Sequence, residues 1–186
     1  MAHVHDEPGQ IDFTVTAYIL RNDGDGDGDG LRALVHMHRK QRMLMPVGGH
    51  IELTETPWAA AEHEIAEEAG YAFSQLSVYQ PKLRVGLYER VVVHPQPLFM
   101  NTHDISETHW HTDIAYLFLA TGEPELMVDE QESQDIRWMT RAEIAALDRT
   151  AMYENVQGTY LAAFDTFASQ WEPVPATDFE TGRKQS

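Results

Sequence analysis

A chain of 186 residues, 42% hydrophobic and 23% charged, has the balance of a globular protein and the length to enclose one substantial core. Against 13 basic residues stand 30 acidic ones, a formal charge of −17 that opposes the grip on phosphates a nucleic-acid polymer demands. No stretch approaches the roughly 20 apolar residues of a membrane span, the first residues lack the basic and apolar segments of a secretory signal, and the chain has no cysteine, which excludes disulfides, thiolate metal sites and cysteine nucleophiles.

The expectation is therefore a protein without membrane or nucleic-acid partners, compatible with the cytoplasm and with a homodimer. Any metal in it must rest on carboxylate, imidazole or carbonyl ligands.

Residues 1–10 read as a flexible start. Ile11 to Leu20 is rich in β-branched and aromatic residues and predicts a strand, as does Arg32 to His38 with its alternating Ala33, Val35 and Met37. Between them Asp23 to Gly30 alternates aspartate and glycine. Asp23, Asp25, Asp27 and Gly28 match the first half of a calcium loop, but the place of its bidentate glutamate falls on Leu34 and no helices flank it. The segment reads as a solvated connection between strands.

Thr56 to Ala69 is the clearest helix: Thr56 can cap it, Pro57 suits its first turn, alanine and glutamate fill its interior and Gly70 can end it. Lys82 to Val93 predicts a strand and Asp113 to Ala120 a buried one. Asp135 to Met139 is a shorter strand candidate. Thr140 and Glu143 then form a capping-box pattern for a helix to about Leu147, and Glu154 to Gln170 predicts a last helix with Tyr160, Leu161, Phe164 and Phe167 on its apolar side. Residues 172–186 read as a mobile tail. The pattern predicts an α+β domain over residues 11–171 around a mixed sheet.

Glu64, Glu67 and Glu68 are spaced i, i+3, i+4, which places three carboxylates on one helical face. Alone, such a strip is more often a solvated acidic face. Before it, however, Gly48-Gly49 joins an apolar strand end to the loop His50 to Glu55, and paired glycines allow close backbone approach, so that the Gly49 carbonyl can also face a metal. Strand, glycine loop and carboxylate helix fit one hard-cation site.

The run Gly49 to Tyr71 resembles the Nudix box, G-x5-E-x7-R-E-U-x-E-E-x-G-U with U a bulky apolar residue: Gly49, Glu55, Glu64, Ile65, Glu67, Glu68 and Gly70 fall in register. The resemblance implies an α/β/α sandwich and a pyrophosphohydrolase acting on a small phosphorylated, nucleotide-like substrate. Its Mg²⁺, or Mn²⁺ as a substitute, would be held by Glu64, Glu67, Glu68 and the Gly49 carbonyl, with Glu64 or Glu67 as first choice of general base. Glu107, Glu130 and Glu132 are downstream candidates for that role. Glu55 is expected to tether the loop and contact His63.

His63 departs from the pattern, taking the place of the motif arginine without its guanidinium fork. This motivates a second reading, a catalytically weak Nudix-fold nucleotide-binding or regulatory domain. Isopentenyl diphosphate isomerase shares the fold but employs a cysteine that this chain lacks.

Trp58, Tyr88, Phe99 and Trp110 are candidates for stacking on a base, although core packing is the usual fate of an aromatic ring. Tyr88 stands about where diadenosine polyphosphate hydrolases of the family carry a tyrosine. His103, His109 and His111 suggest zinc but lack a recognised zinc spacing, so His103 to Asp113 reads as a loop, with Trp110 available to substrate.

Overall fold

A strand covered on both faces shows apolar residues at odd and even positions alike, and Ile11–Asn22 does so. Val15, Ala17 and Ile19 enter one buried cluster while Tyr18 and Leu20 enter another on the opposite face. The computed structural model describes residues 9–24, 30–82 and 91–182. In chain order its strands are β1 (Ile11–Asn22), β2 (Leu31–Met37), β3 (Leu44–Met45), β4 (Val47–His50), β5 (Leu76–Gln80), β6 (Phe99–Ser106), β7 (His109–Ala120), β8 (Ile136–Thr140) and β9 (Glu172–Pro175).

The helices are α1 (Pro57–Ala69), α2 (Arg141–Ala145), α3 (Glu154–Ala162) and α4 (Ala168–Gln170). A π-turn over Ala163–Phe167 joins the last two.

β1 and β7 form the spine, paired in parallel from Ile11↔Trp110 to Arg21↔Ala120. The backbone order is β3-β2-β1-β7-β5-β9, with β4 on β1, β6 on β7 and β8 on β2. On one face α1 packs over Val15, Ile19, Ile114, Tyr116 and Phe118; on the other, Ile144 of α2 and Val156 and Tyr160 of α3 cover Tyr18, Val35 and Leu117. The result is the expected α/β/α sandwich around a mixed sheet.

Helix α1 begins and ends as its sequence dictates. The Thr56 Oγ1 accepts a hydrogen bond from the Ala59 N–H at 3.1 Å, and Gly70 closes the helix with φ 70°. Trp58 is fully buried, with the rings of Phe73, Tyr116, Phe118 and Phe179 centred 4.7–5.9 Å away.

Three expectations are corrected. Residues 172–175 are not a free tail: they form β9 against β5, and Phe179 beyond them packs on Trp58. The segment His103 to Asp113 is not a loop but the greater part of a β-hairpin turning at Glu107-Thr108, whose β6 strand is exposed along most of its length and so carries no apolar alternation. The last helix is interrupted by the π-turn. Of the strand expected over Lys82 to Val93, residues 83–90 lie outside the described residues and Val91 to Val93 are irregular.

Candidate active site

The i, i+3, i+4 spacing turns Glu64 and Glu68 inward, 3% and 4% exposed, and leaves the Glu67 side chain 43% exposed at the rim. Strand β4 is built to receive them. The Gly48 N–H donates to Glu68 Oε2 at 2.8 Å, and Gly48, at φ 150°, lies so close to β1 that a β-carbon there would sit 2.2 Å from the Val15 carbonyl oxygen. At Gly49 a β-carbon would come within 2.1 Å of Glu64 Oε1. Glycine at these positions is what lets the strand backbone meet the carboxylates.

Burial pushes the Glu64 carboxyl up to about 7, with His63 opposing and Glu67, Glu132 and Glu55 adding to the rise. Glu68 is pushed up to about 9 by burial, against the Gly48 N–H and with Glu64 and Glu132 reinforcing. No lysine or arginine among the described residues pairs with Glu64, Glu67 or Glu68. His36 Nε2 stands 3.9 Å from Glu68 Oε2, but burial and the neighbouring His38 hold that imidazole at about 4, so it is neutral and supplies no charge.

The buried Glu64 Oε2 has no hydrogen-bond partner among the described residues. Two buried carboxyl groups, one with an unpartnered oxygen and both facing a β-carbon-free backbone, fit an oxygen-ligated divalent cation.

His63 performs by a different chemistry the bridging that the motif assigns to arginine. Its Nε2 lies 2.8 Å from Glu67 Oε1 and its Nδ1 3.6 Å from Glu55 Oε1, joining loop to helix. Partial burial disfavours its charge, but the hydrogen bond to Glu67 and the fields of Glu67, Glu64 and Glu55 hold its pKa above the ordinary histidine value.

Of the downstream carboxylates, Glu132 is brought to the site, where it adds to the upward push on Glu68 and Glu64. Its loop is tacked to the end of α1 by the Asp129 N–H donating to the Glu67 carbonyl. Glu107 is exposed in the β6–β7 turn and Glu130 is exposed in the loop.

Trp58 and Phe99 belong to the two cores and are not free to stack on a ligand; Tyr88 lies outside the described residues. Trp110 is half-buried and faces the α1 side of the sheet, as does Phe13, 49% exposed, two residues before Val15, which pairs with Gly49. Phe13 is missed by sequence reasoning because its strand reads as core throughout; the parallel pairing Phe13↔Thr112, which sets it diagonally from Trp110 on one face, joins residues about a hundred apart. In the Asp-Gly segment, Asp23 is taken by Arg21 at 2.5 Å and Arg32 at 3.6 Å, and Asp25, Asp27 and Gly28 lie outside the described residues.

A NUDIX domain model matches residues 12–160. The chain belongs to the Nudix family. Among solved structures, a NUDIX-family hydrolase from Clostridium perfringens is 25% identical with a TM-score of 0.62, the match covering 82% of this chain and 95% of that one. An Ap4A hydrolase of C. elegans in a binary complex is 18% identical, TM-score 0.60, covering 85% and 98%. The NUDIX domain of Shewanella oneidensis NrtR, complexed with ADP ribose, is 13% identical, TM-score 0.57, covering 83% and 87%; these last two likenesses are of fold. No curated protein matches the sequence. With the box in register on α1, this is a Nudix-type hydrolase of diphosphate bonds.

Proposed function

We propose that this Nudix protein is a Mg²⁺-dependent pyrophosphohydrolase that cleaves the diphosphate linkage of a nucleoside diphosphate derivative. The observation that carries the reading is the pair Glu64 and Glu68, buried against the Gly48-Gly49 backbone with no lysine or arginine partner among the described residues. Glu64, Glu67, Glu68 and the Gly49 carbonyl would hold the cation, with Mn²⁺ as a substitute. When bound, Mg²⁺ neutralises the diphosphate and lowers the pKa of a coordinated water for attack on phosphorus.

The chain's own residues complete the chemistry. Glu64, whose Oε2 has no hydrogen-bond partner among the described residues, is the first choice to accept the proton of the attacking water. Glu132, supplied by the later loop, is the downstream alternative, ahead of Glu107 and Glu130. His63 keeps the Glu67 carboxylate turned to its place and ties down Glu55. Phe13 and Trp110 offer a partly exposed aromatic surface on the same sheet face for a nucleobase. The Ap4A hydrolase and the ADP-ribose complex among the similar folds support a substrate in which a nucleoside carries a linked diphosphate.

The test is a panel of dinucleoside polyphosphates, nucleoside diphosphate sugars and nucleoside triphosphates incubated with Mg²⁺, with products resolved by phosphorus NMR. Cleavage at a diphosphate linkage is expected for at least one class. Tight binding without turnover of any member would favour instead a catalytically weak binding domain.

A further inference from the structure

The sheet face turned away from α1 carries a second gathering of metal-ligating side chains. Asp12, at the start of β1, is 0% exposed and shares the face of Tyr18 and Leu20. His109 and His111 open β7 on the face of Ala115 and Leu117, and His50 ends β4 on the side opposite Gly49.

The strand pairings Asp12↔His111 and Thr14↔His50 bring them together from distant parts of the chain, so no zinc spacing exists in the sequence to be read. The Asp12 Oδ2 lies 3.2 Å from His109 Nε2 and 3.4 Å from His50 Nε2. Asp12, His109 and His111 each present a ligand atom within 4.8 Å of the other two, and the ring of His111 is centred 4.9 Å from that of His50 and 5.2 Å from that of His109.

Bonds of about 2.0–2.1 Å in a tetrahedral site set neighbouring ligand atoms about 3.3 Å apart. The two separations from Asp12 match that edge and exceed the ~2.7–2.9 Å of a charge-assisted hydrogen bond. Three imidazoles and one carboxylate suit zinc and its transition-metal neighbours, whereas the all-oxygen set on α1 suits a hard cation.

We propose that Asp12, His50, His109 and His111 form a zinc-class transition-metal site, separate from the glutamate site. Asp12, His109 and His111 are its compact core, and His50 joins it beside Asp12. It clamps the start of β1 to the end of β4 and the mouth of the β6–β7 hairpin.

The full-length, tag-free, metal-stripped chain should bind one tight equivalent of Zn²⁺ by calorimetry. Co²⁺ alone should give the visible spectrum of a tetrahedral complex, and Zn²⁺ should raise the melting temperature. Asp12→Asn and His109→Gln should each weaken Zn²⁺ binding on the order of 100-fold or more. The Glu64→Gln/Glu68→Gln double variant and the His3→Ala/His5→Ala double variant should keep it.

Because Asp12 is buried, His109→Gln, at the hairpin mouth, is the variant that decides if Asp12→Asn fails to fold. Unchanged affinity in His109→Gln, absence of any tight equivalent in the wild type, or loss of the equivalent in either double variant overturns the proposal.

Discussion

Replacing Glu68 by glutamine removes the charge that the buried site accommodates least well. Burial raises this carboxyl from 4.5 to about 9, so in the absence of a cation the folded protein keeps a proton that the unfolded chain releases. A group whose folded pKa is raised gives stability that is full below the unfolded value and is lost as pH climbs toward the folded one. The loss is about 1.4 kcal/mol per pH unit above 4.5, or about 4 kcal/mol near pH 7.5.

Glutamine has no proton to retain. Its amide oxygen can still accept from the Gly48 N–H and its amide N–H can donate to Glu132. In EDTA near pH 7.5 the Glu68→Gln variant should therefore melt on the order of 10 °C above the wild type, at the 2–4 °C per kcal/mol usual for a chain of this size. Near pH 4.5 the gap should close. Equal melting temperatures at both pH values would refute the reasoning, since Glu68 would then ionise in the folded state without penalty.

His63→Arg should preserve the bridge between Glu55 and Glu67 and keep its charge at all working pH values, so turnover should be equal or a few-fold higher and should decline less as pH rises through the raised pKa of His63; a tenfold loss in a pH–rate assay would contradict this. Gly49→Ala drives a methyl group into the Glu64 carboxylate, and turnover should drop on the order of 100-fold; a rate within threefold of wild type would show that Glu64 is free to move. Trp58→Ala empties the centre of the α1 core and should cost about 3–5 kcal/mol in denaturant unfolding, and a loss under about 1 kcal/mol would mean the packing around it is not what holds α1.

Helix α1 was legible because its determinants are local: Thr56, Pro57 and Gly70 mark its ends, and the spacing of Glu64, Glu67 and Glu68 needs no tertiary knowledge. The same holds for the capping box of Thr140 and Glu143, whose reciprocal hydrogen bonds form as expected.

What escaped was set by pairing at long range. Strand β6 is polar and exposed, so only its ladder with β7 makes it a strand. Strand β9, with Pro173 and Pro175 beside the buried Val174, reads as a linker until β5 is there to receive it. Glu132 could be named in sequence as one of three carboxylates. Its distinction from Glu107 comes from the Asp129 to Glu67 backbone hydrogen bond that folds its loop onto α1, and from Glu130 by burial, since Glu130 on the same loop is exposed and Glu132 is half-buried.

The central claim, that α1 holds a cation-dependent centre for diphosphate hydrolysis, is tested most directly by phosphorus NMR of a cleaved panel substrate under three conditions: wild type with Mg²⁺, wild type with EDTA, and Glu64→Gln with Mg²⁺. Turnover is expected only in the first, with the variant slower by on the order of 10³-fold and its circular dichroism unchanged. Undiminished hydrolysis in EDTA, or in Glu64→Gln, would contradict the claim.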